Sequence, residues 1–459
     1  MKGKISLSVP KEVDAILTRI MEHGGQAYIV GGAVRDTILG RSVTDWDVAT
    51  SLRPDEIERL FSHTRTIPVG KKYGTVIVVM NGRQVQVTTY RGEEEYLDFR
   101  HPKRVVFLSD IVADLSRRDF TVNAMAYNPY LTPSLIDPFG GVDDIARKII
   151  RTVGRPDKRF SEDPLRILRG IRFCAELSFQ LEHQTMEAAK THGHLLSRIS
   201  AERIRDELNR ILLASEPYHH LITLCNLGIF DILLPDLAKC FGSSALPSWS
   251  GPDPRRLVFK AVNLCRSDIV LRLAVLHYPC QIDQLLCSGM IGLNKLKAAD
   301  GCAETVELSL RRLRYDRTTI RRILSLVSAD PLPLDLNQAD AAYRLRKIMG
   351  QLGPEDSYRF LELQQTYLLA ADRQEEANGI YRYKHMAKEI ISRGDPVAMS
   401  QMAINGNDVL NAGIGIKDRQ IVGKALRQAY EWVLMEPECN DKQLLLSRLK
   451  AAFGKRNQT

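Results

Sequence analysis

Residues 27–50 read AYIVGGAVRDTILGRSVTDWDVAT, and the reading of the whole chain turns on them. An apolar run, Tyr28-Ile29-Val30, meets Gly31-Gly32. A short helical stretch carrying Arg35 follows and stops at Gly40; then come Asp45-Trp46-Asp47 with Val48 and Ala49 behind them. The pattern predicts strand, turn, helix and second strand. On a strand, residues two apart share a face, so Asp45 and Asp47 project together with Trp46 opposite. Two carboxylates so placed can hold one or two Mg²⁺, a hard ion that takes oxygen ligands and also binds phosphates. Two such ions can serve an in-line displacement. Thr44 to Asp47 would equally suit a plain polar turn. Gly31-Gly32 favours the first reading, because glycine lets the backbone approach a phosphate closely. The following helix start offers free N–H groups and a positive dipole end, and Arg35 can reach the same phosphates with a bidentate guanidinium. The spacing is neither the Walker pattern nor GxGxxG.

The totals narrow the class. A chain of 459 residues is too long for one core and implies two to four domains. With 44% hydrophobic and 26% charged residues it is ordinary globular material. No run of about 18 apolar residues is present, so no membrane span is expected. The start, MKGKISLSVPKEVDAIL, lacks a signal-peptide core, so cytoplasmic residence is expected. Eight cysteines without a CxxC pair argue against a zinc cluster and a disulfide framework. A net charge of +9 favours a polyanionic partner such as nucleic acid, although a basic surplus alone does not require one.

Outward from the opening stretch, Val13, Ile16, Leu17 and Ile20 mark an amphipathic helix ended by Gly24-Gly25. Thr50-Ser51 are expected to cap a helix begun by Pro54. Residues 74–90 read as a hairpin turning at Asn81-Gly82. Residues 91–109 are polar and loop-like, with a short strand at Val105-Val106-Phe107. A helix is expected from Asp110 through Asn123, and a mixed unit closes near residue 150. From Phe160 onward helical periodicity runs almost everywhere with no convincing strand pair, and the Gly/Ser/Pro-rich stretch 242–254 reads as a loop or boundary. The expected class is α+β: an α/β head over 1–150 followed by helices.

Gly-Gly-x-Val-Arg-Asp followed by Asp-x-Asp at this distance resembles the nucleotidyltransferase superfamily that includes DNA polymerase β. In detail it resembles the bacterial-type (class II) tRNA nucleotidyltransferase and poly(A) polymerase family. The likeness continues through Arg117-Arg118-Asp119-Phe120-Thr121 with Asn123-Ala124, Asp137-Pro138-Phe139-Gly140-Gly141, and Glu162-Asp163-Pro164-Leu165-Arg166 with Arg169 and Arg172. It covers about the first 215 residues specifically and the rest loosely. It implies that Asp45 and Asp47 are catalytic and bind Mg²⁺, and that Gly32, Arg35 and Arg118 contact a nucleoside triphosphate. Asp163 and Arg166, three apart on one expected helix face, would act as a protein template for the incoming base. A carboxylate accepts from an exocyclic amine and a guanidinium donates to ring N and carbonyl O. CTP and ATP present an amine where UTP and GTP present a carbonyl. Arg169 and Arg172 are assigned to the nucleotide by the same resemblance.

The resemblance further implies a helical neck over 151–215, a body over 216–330 and a tail over 331–459 that grip the tRNA acceptor arm. Arg311, Arg312, Arg314, Arg317, Arg321 and Arg322, with Lys417, Arg419, Lys424 and Arg427, could meet phosphates or simply be solvated. The implied reaction is addition of C, C and A to tRNA from CTP and ATP. A full-length Tyr96–Pro102 segment favours complete CCA addition over CC addition. An A-adding enzyme or poly(A) polymerase is the alternative, and a non-catalytic RNA-binding homologue is a third. One departure bears on the last: Gln86 stands where the family carries an acidic residue. The sequence leaves the oligomeric state open.

Overall fold

Ala27–Val30 (β1) is buried along its whole length, and its alternate residues feed two cores. Ala27 and Ile29 pack with Val13, Ile16, Leu17 and Ile20 of helix α1, Lys11–Glu22. Tyr28 and Val30 share the other core with Tyr90, Ile111 and Leu115. A period of two thus places the strand between two apolar layers. Truncating fully buried Leu17 to alanine would cost about 2–5 kcal/mol.

The computed structural model describes residues 7–68, 71–96, 102–241, 253–278, 302–334, 340–416 and 419–453. The chain divides into two units, Met1–Leu233 and Leu234–Thr459. In the first, β1 is followed by α2 (Gly32–Ile38), β2 (Asp47–Thr50), α3 (Pro54–Leu60), β3 (Arg65–Ile67), β4 (Thr75–Met80) and β5 (Arg83–Thr89). Then come β6 (Arg91–Tyr96), β7 (Pro102–Phe107), α4 (Ile111–Ser116), β8 (Ala126–Tyr127), β9 (Leu135–Ile136), α5 (Gly141–Arg147) and β10 (Ile149–Ile150). The remainder is α6 (Pro156–Glu162), α7 (Leu165–Leu177), β11 (Gln180–Leu181), α8 (His183–His192), α9 (Ala201–Leu213), α10 (Pro217–Asn226) and α11 (Ile229–Leu233). The class is α+β.

Seven strands form one sheet in the order β3-β4-β5-β2-β1-β8-β9. β1 and β2 run antiparallel, whereas β2 and β5 run parallel with Asp47 opposite Gln86. β4 and β5 are the expected hairpin: Asn81 and Gly82 have φ of 49° and 82°, the pair of positive angles a type I′ turn needs.

Several expectations are corrected. The expected strand at Val105-Val106-Phe107 is part of β7, but it is not flanked by loop: β6 and β7 form a two-stranded antiparallel ribbon, Arg91 opposite Phe107 and Tyr96 opposite Pro102. Residues 97–101, which bear on the full-length segment, lie outside the described residues. Thr50 and Ser51 do not cap α3; Thr50 Oγ1 donates to Gln26 O (2.7 Å) and Ser51 Oγ accepts from Gln26 N (2.9 Å), tying β2 to β1. The α3 start is closed instead by Glu56, whose carboxylate accepts from Arg53 N at 2.7 Å. The helix after Asp110 stops at Ser116 rather than running through Asn123, and only a 3₁₀ turn, Thr121–Asn123, follows. Beyond Phe160 the described residues hold one short strand, β11, and its parallel partner β10 lies before Phe160.

In the second unit all described elements are helical. The longest, Ala341–Ala370, kinks at Gly353 (φ 75°), the residue before Pro354. Three of the arginines expected at phosphates have carboxylate partners: Arg311 with Glu307, Arg312 with Asp236, and Arg322 with Glu355 and Asp356. Lys417 lies outside the described residues. Asn405 and Asp408 close a capping box at the helix Gly406–Asn411. Among the described residues no helix is long and apolar enough to cross a membrane.

His277, at the end of the helix Ile269–Leu276, is buried. Its Nδ1 lies 2.9 Å from Leu273 O and its Nε2 2.9 Å from Ser309 Oγ, so the neutral ring is fully hydrogen-bonded. Burial lowers its pKa from 6.5 to about 4. A depressed value means stability that is complete above about pH 6.5 and is lost as the pH falls toward 4. The loss is at most about 3 kcal/mol. Denaturant unfolding at pH 7 and pH 4.5 checks this: His277→Gln is expected to lose less stability on acidification than the parent, and an equal loss would overturn it.

Candidate active site

A cavity of about 860 Å³ opens in the first unit at the ends of β1 and β2. Gly32, Arg35, Asp45, Asp47, Arg118, Asp163, Arg166, Arg169 and Arg172, scattered over 140 positions of sequence, all line it. Nine arginines and six carboxylates face this one space, so its potential is positive and suits an anion.

The floor is the opening stretch. The β2 ladder begins at Asp47, yet the alternation extends one step further back: Trp46 is buried in the main core and Asp45 is exposed to the cavity. Burial pushes the Asp47 carboxyl above its ordinary value; Arg118 pulls it back and Asp45 adds to the rise. Gln86 of β5, beside Asp47 in register, contributes a neutral amide to the same wall.

Gly31 has φ 73°, and a Cβ there would stand 3.1 Å from an Arg118 guanidinium nitrogen and 3.9 Å from Asp47 Oδ2. The missing side chain therefore admits Arg118 and Asp47 to one turn. Arg118 reaches it from the end of α4. Its Nη2 donates weakly to Asp114 Oδ2 at 3.4 Å, and its Nε is buried without a hydrogen-bond partner among the described residues. Burial lowers the Arg118 pKa. Its neighbour Arg117 also lines the cavity but is tied to the fold, with Nε and Nη2 on Asp114 Oδ1 at 3.1 and 2.9 Å. Arg35 is more tightly tied than its sequence suggests: Nε and Nη2 donate to Asp36 (both 2.9 Å) and Nη1 to Asn123 Oδ1 (2.7 Å). A phosphate would meet a guanidinium already oriented.

The opposite wall corrects one expectation. Asp163 and Arg166 are not on one helix. Asp163 ends α6 in an extended conformation (φ −141°, ψ 97°), and α7 starts after Pro164. The residue before proline is driven out of the helical region. Asp163 Oδ1 accepts from Leu165 N (3.2 Å), and Oδ2 pairs with Arg203 Nη2 (3.1 Å). Arg166 Nη1 donates to Glu162 Oε2 at 3.1 Å. Further along α7, Arg169 closes Nε and Nη2 on a single oxygen of Asp119 at 2.8 and 2.5 Å. Burial would raise the Asp119 carboxyl, but Arg169 outweighs it and holds the group below its ordinary value. Arg172 lies 3.3 Å from Glu207 of α9 without hydrogen-bond alignment.

Phe173 is the aromatic member that sequence reasoning missed. The guanidiniums of Arg172, Arg35 and Arg169 lie 4.2, 5.3 and 5.8 Å from its ring centroid, and Phe120 meets its edge at 5.7 Å. One ring thus spaces three cations of the cavity.

Residues 27–151 match the family model described as the poly A polymerase head domain; residues 178–241 match a probable RNA and SrmB-binding site of polymerase A. A CCA-adding enzyme of Bacillus pumilus is 50% identical over 197 residues, 43% of this chain and 48% of that protein. One from a Geobacillus species is 46% identical over 242 residues, 52% of this chain and 59% of that protein. Its head is thus similar to the poly A polymerase head domain and to the matched half of these CCA-adding enzymes. The matched stretch spans about half the length of these curated relatives. A crystal structure of the Bacillus stearothermophilus CCA-adding enzyme with CTP aligns over 98% of both chains at 27% identity, TM-score 0.69. The Thermotoga maritima CCA-adding enzyme with tRNA shares the fold at 20% identity, TM-score 0.58.

Members of this family use divalent metals. The residues present fit one: Asp45 and Asp47 offer hard oxygens, and burial, with a smaller push from Asp45, holds the Asp47 carboxyl above its ordinary value, a cost a cation would relieve. Among the described residues no cluster of three or more acidic, His or Cys ligands exists, so the remaining ligands would be water and phosphate oxygens.

Two further lining residues, Arg203 and Arg210, come from α9, as does Glu207, which lies against Arg172. A signal for them existed. Glu207 falls inside the apolar stripe Ile204, Leu208, Ile211, and a carboxylate in a buried stripe calls for a partner.

Proposed function

We propose that this chain adds C, C and A to the 3′ end of tRNA from CTP and ATP, by Mg²⁺-dependent nucleotidyl transfer that releases pyrophosphate. The observation that carries the reading is the single cavity in which two carboxylates at the end of β2 face an arginine-lined space ending at Asp163 and Arg166. The names of the relatives support the substrate. Asp45 and Asp47 would hold the metal, whose chemistry is to polarise the phosphate oxygens and lower the barrier to in-line displacement. Arg118 binds the triphosphate, with Gly32 and Arg35 forming the turn beside it. Asp163 and Arg166 read the Watson–Crick edge of the base, with Arg169 and Arg172 lining the nucleotide's side of the same cavity and Arg169 held there by Asp119. Head 1–150, neck 151–215, body 216–330 and tail 331–459 divide catalysis, base choice and tRNA grip in that order, and the activity belongs in the cytoplasm, where its substrates are.

The test uses tRNA ending at the discriminator base, given each nucleotide alone. CTP is expected to be incorporated, and ATP only after two C residues. Incorporation of ATP alone would move the reading to an A-adding enzyme or poly(A) polymerase. Gln86 favours one rival of another class, a non-catalytic RNA-binding homologue, because it leaves Asp47 without an acidic neighbour in register. That rival requires tRNA binding with no turnover of any nucleotide.

A further inference from the structure

Helix α9 places Arg203, Glu207 and Arg210 at i, i+4 and i+7, one stripe of a helix, and α9 packs along α7. Arg203 pairs with Asp163 and Glu207 faces Arg172, while Arg203 and Arg210 line the cavity itself. Beside its apolar stripe α9 thus carries a charged one, of which Arg203 and Glu207 meet the base-side wall.

The Asp163 carboxylate is consequently held at both oxygens. Oδ1 is fixed by Leu165 N at the first turn of α7, and Oδ2 by the Arg203 guanidinium. A carboxylate has about four acceptor positions, so these two bonds, one to each oxygen, restrain the group from turning and leave acceptor capacity over on a residue that lines the cavity. We infer that Arg203 is a positioning residue for nucleobase choice: it clamps Asp163 as an oriented, acceptor-only group. The inference rests on the proposed reading of Asp163 as the group that meets the base. An exocyclic amine of cytosine or adenine donates to such a carboxylate. The O4 of uracil or the O6 of guanine sets two acceptors face to face, and both stay unpaired in a partly buried site. Discrimination by this means needs the carboxylate to stay put. Released from Arg203, it could swing aside and let a water bridge to a carbonyl.

The test is single-turnover incorporation of CTP, UTP, ATP and GTP into tRNA by the full chain carrying Arg203→Met, Arg203→Lys, Asp163→Ala, or Arg203→Met with Asp163→Ala. Arg203→Met is expected to lower the preference for CTP over UTP and for ATP over GTP about tenfold or more, with tRNA affinity and melting temperature near the parent's. Arg203→Lys, which keeps the charge, is expected to recover part of the preference. Because Arg203 acts through Asp163, the double variant should be no less selective than Asp163→Ala alone. Equal loss of rate for all four nucleotides with unchanged ratios would overturn the inference, as would additive losses in the double variant. Should Arg203→Met fail to fold, Arg203→Gln and Arg203→Lys supply the same ratio. A parent that itself does not prefer CTP and ATP would instead remove the reading on which the inference stands.

Discussion

Asp47→Asn is expected to lower nucleotide incorporation about a thousandfold while leaving the folded chain as stable as the parent or more so. The loss follows from charge. Asparagine keeps the shape and an oxygen but not the anion, and a site that draws a divalent cation with two carboxylates then has only one. Several kcal/mol of charge stabilisation in the transition state go with it, which is three decades of rate. The opposite sign for stability follows from the same place. Burial and the nearby Asp45 carboxylate push the Asp47 carboxyl above its ordinary value, so folding works against its ionisation at neutral pH. The neutral amide removes that cost, although it leaves Arg118 with one fewer counter-charge. Activity and stability thus oppose each other at this residue, as they do where a site is held ready for a ligand. The check is rate with Mg²⁺ and melting temperature without added metal, both on the same preparation. A variant that loses rate only in proportion to its folded fraction would show that Asp47 is structural.

Much of this site was legible before the fold was known, and the boundary between what was and was not has a physical basis. Local patterns carried through. The apolar run before Gly31-Gly32 is β1, the Asn81-Gly82 turn has the predicted handedness, and Trp46 faces the core while Asp45 and Asp47 face the cavity. Each depends on interactions within a few residues. The ribbon at Arg91–Phe107 was missed because backbone hydrogen bonds hold it and its polar sequence has no apolar alternation to announce it. The early end of α4 was missed because Phe120 is drawn off to pair with Thr152, a contact made 32 residues away. The break between α6 and α7 is different: Pro164 announced it, since proline forbids helix at the preceding residue. It matters because an extended Asp163 turns its carboxylate toward Arg203 on α9, which a continuous helix would not require. The partners on α9 were out of reach for pattern reading, because spacing says that Glu207 is buried but not what it meets.

Arg118→Met and Arg117→Met, adjacent substitutions of one residue type, are expected to fail in different ways. Arg117 is spent on the fold. Its guanidinium gives two hydrogen bonds to Asp114, which is almost wholly buried and also accepts from Arg91 N at 3.2 Å and, weakly, from Arg118 at 3.4 Å. Removing it strands a buried carboxylate and should lower stability by about 2 kcal/mol or more, with nucleotide affinity in the surviving folded protein little changed. Arg118 is spent on the site. Its Nη1 lies against Gly31, its Nε has no hydrogen-bond partner among the described residues, and its contact with Asp114 is weak. Burial without a good counter-ion is tolerable when a phosphate is the intended partner, since a charge-assisted bond to phosphate is stronger than a neutral one. Arg118→Met should therefore raise KM for CTP and ATP alike by about ten- to a hundredfold, the equivalent of about 1.5–3 kcal/mol, at nearly unchanged melting temperature. Equal effects on the two nucleotides are the essential point, because both carry the same triphosphate and differ only at the base. A variant that raised KM for one nucleotide alone would place Arg118 at the base instead, and one that lost stability as Arg117→Met does would return it to the framework.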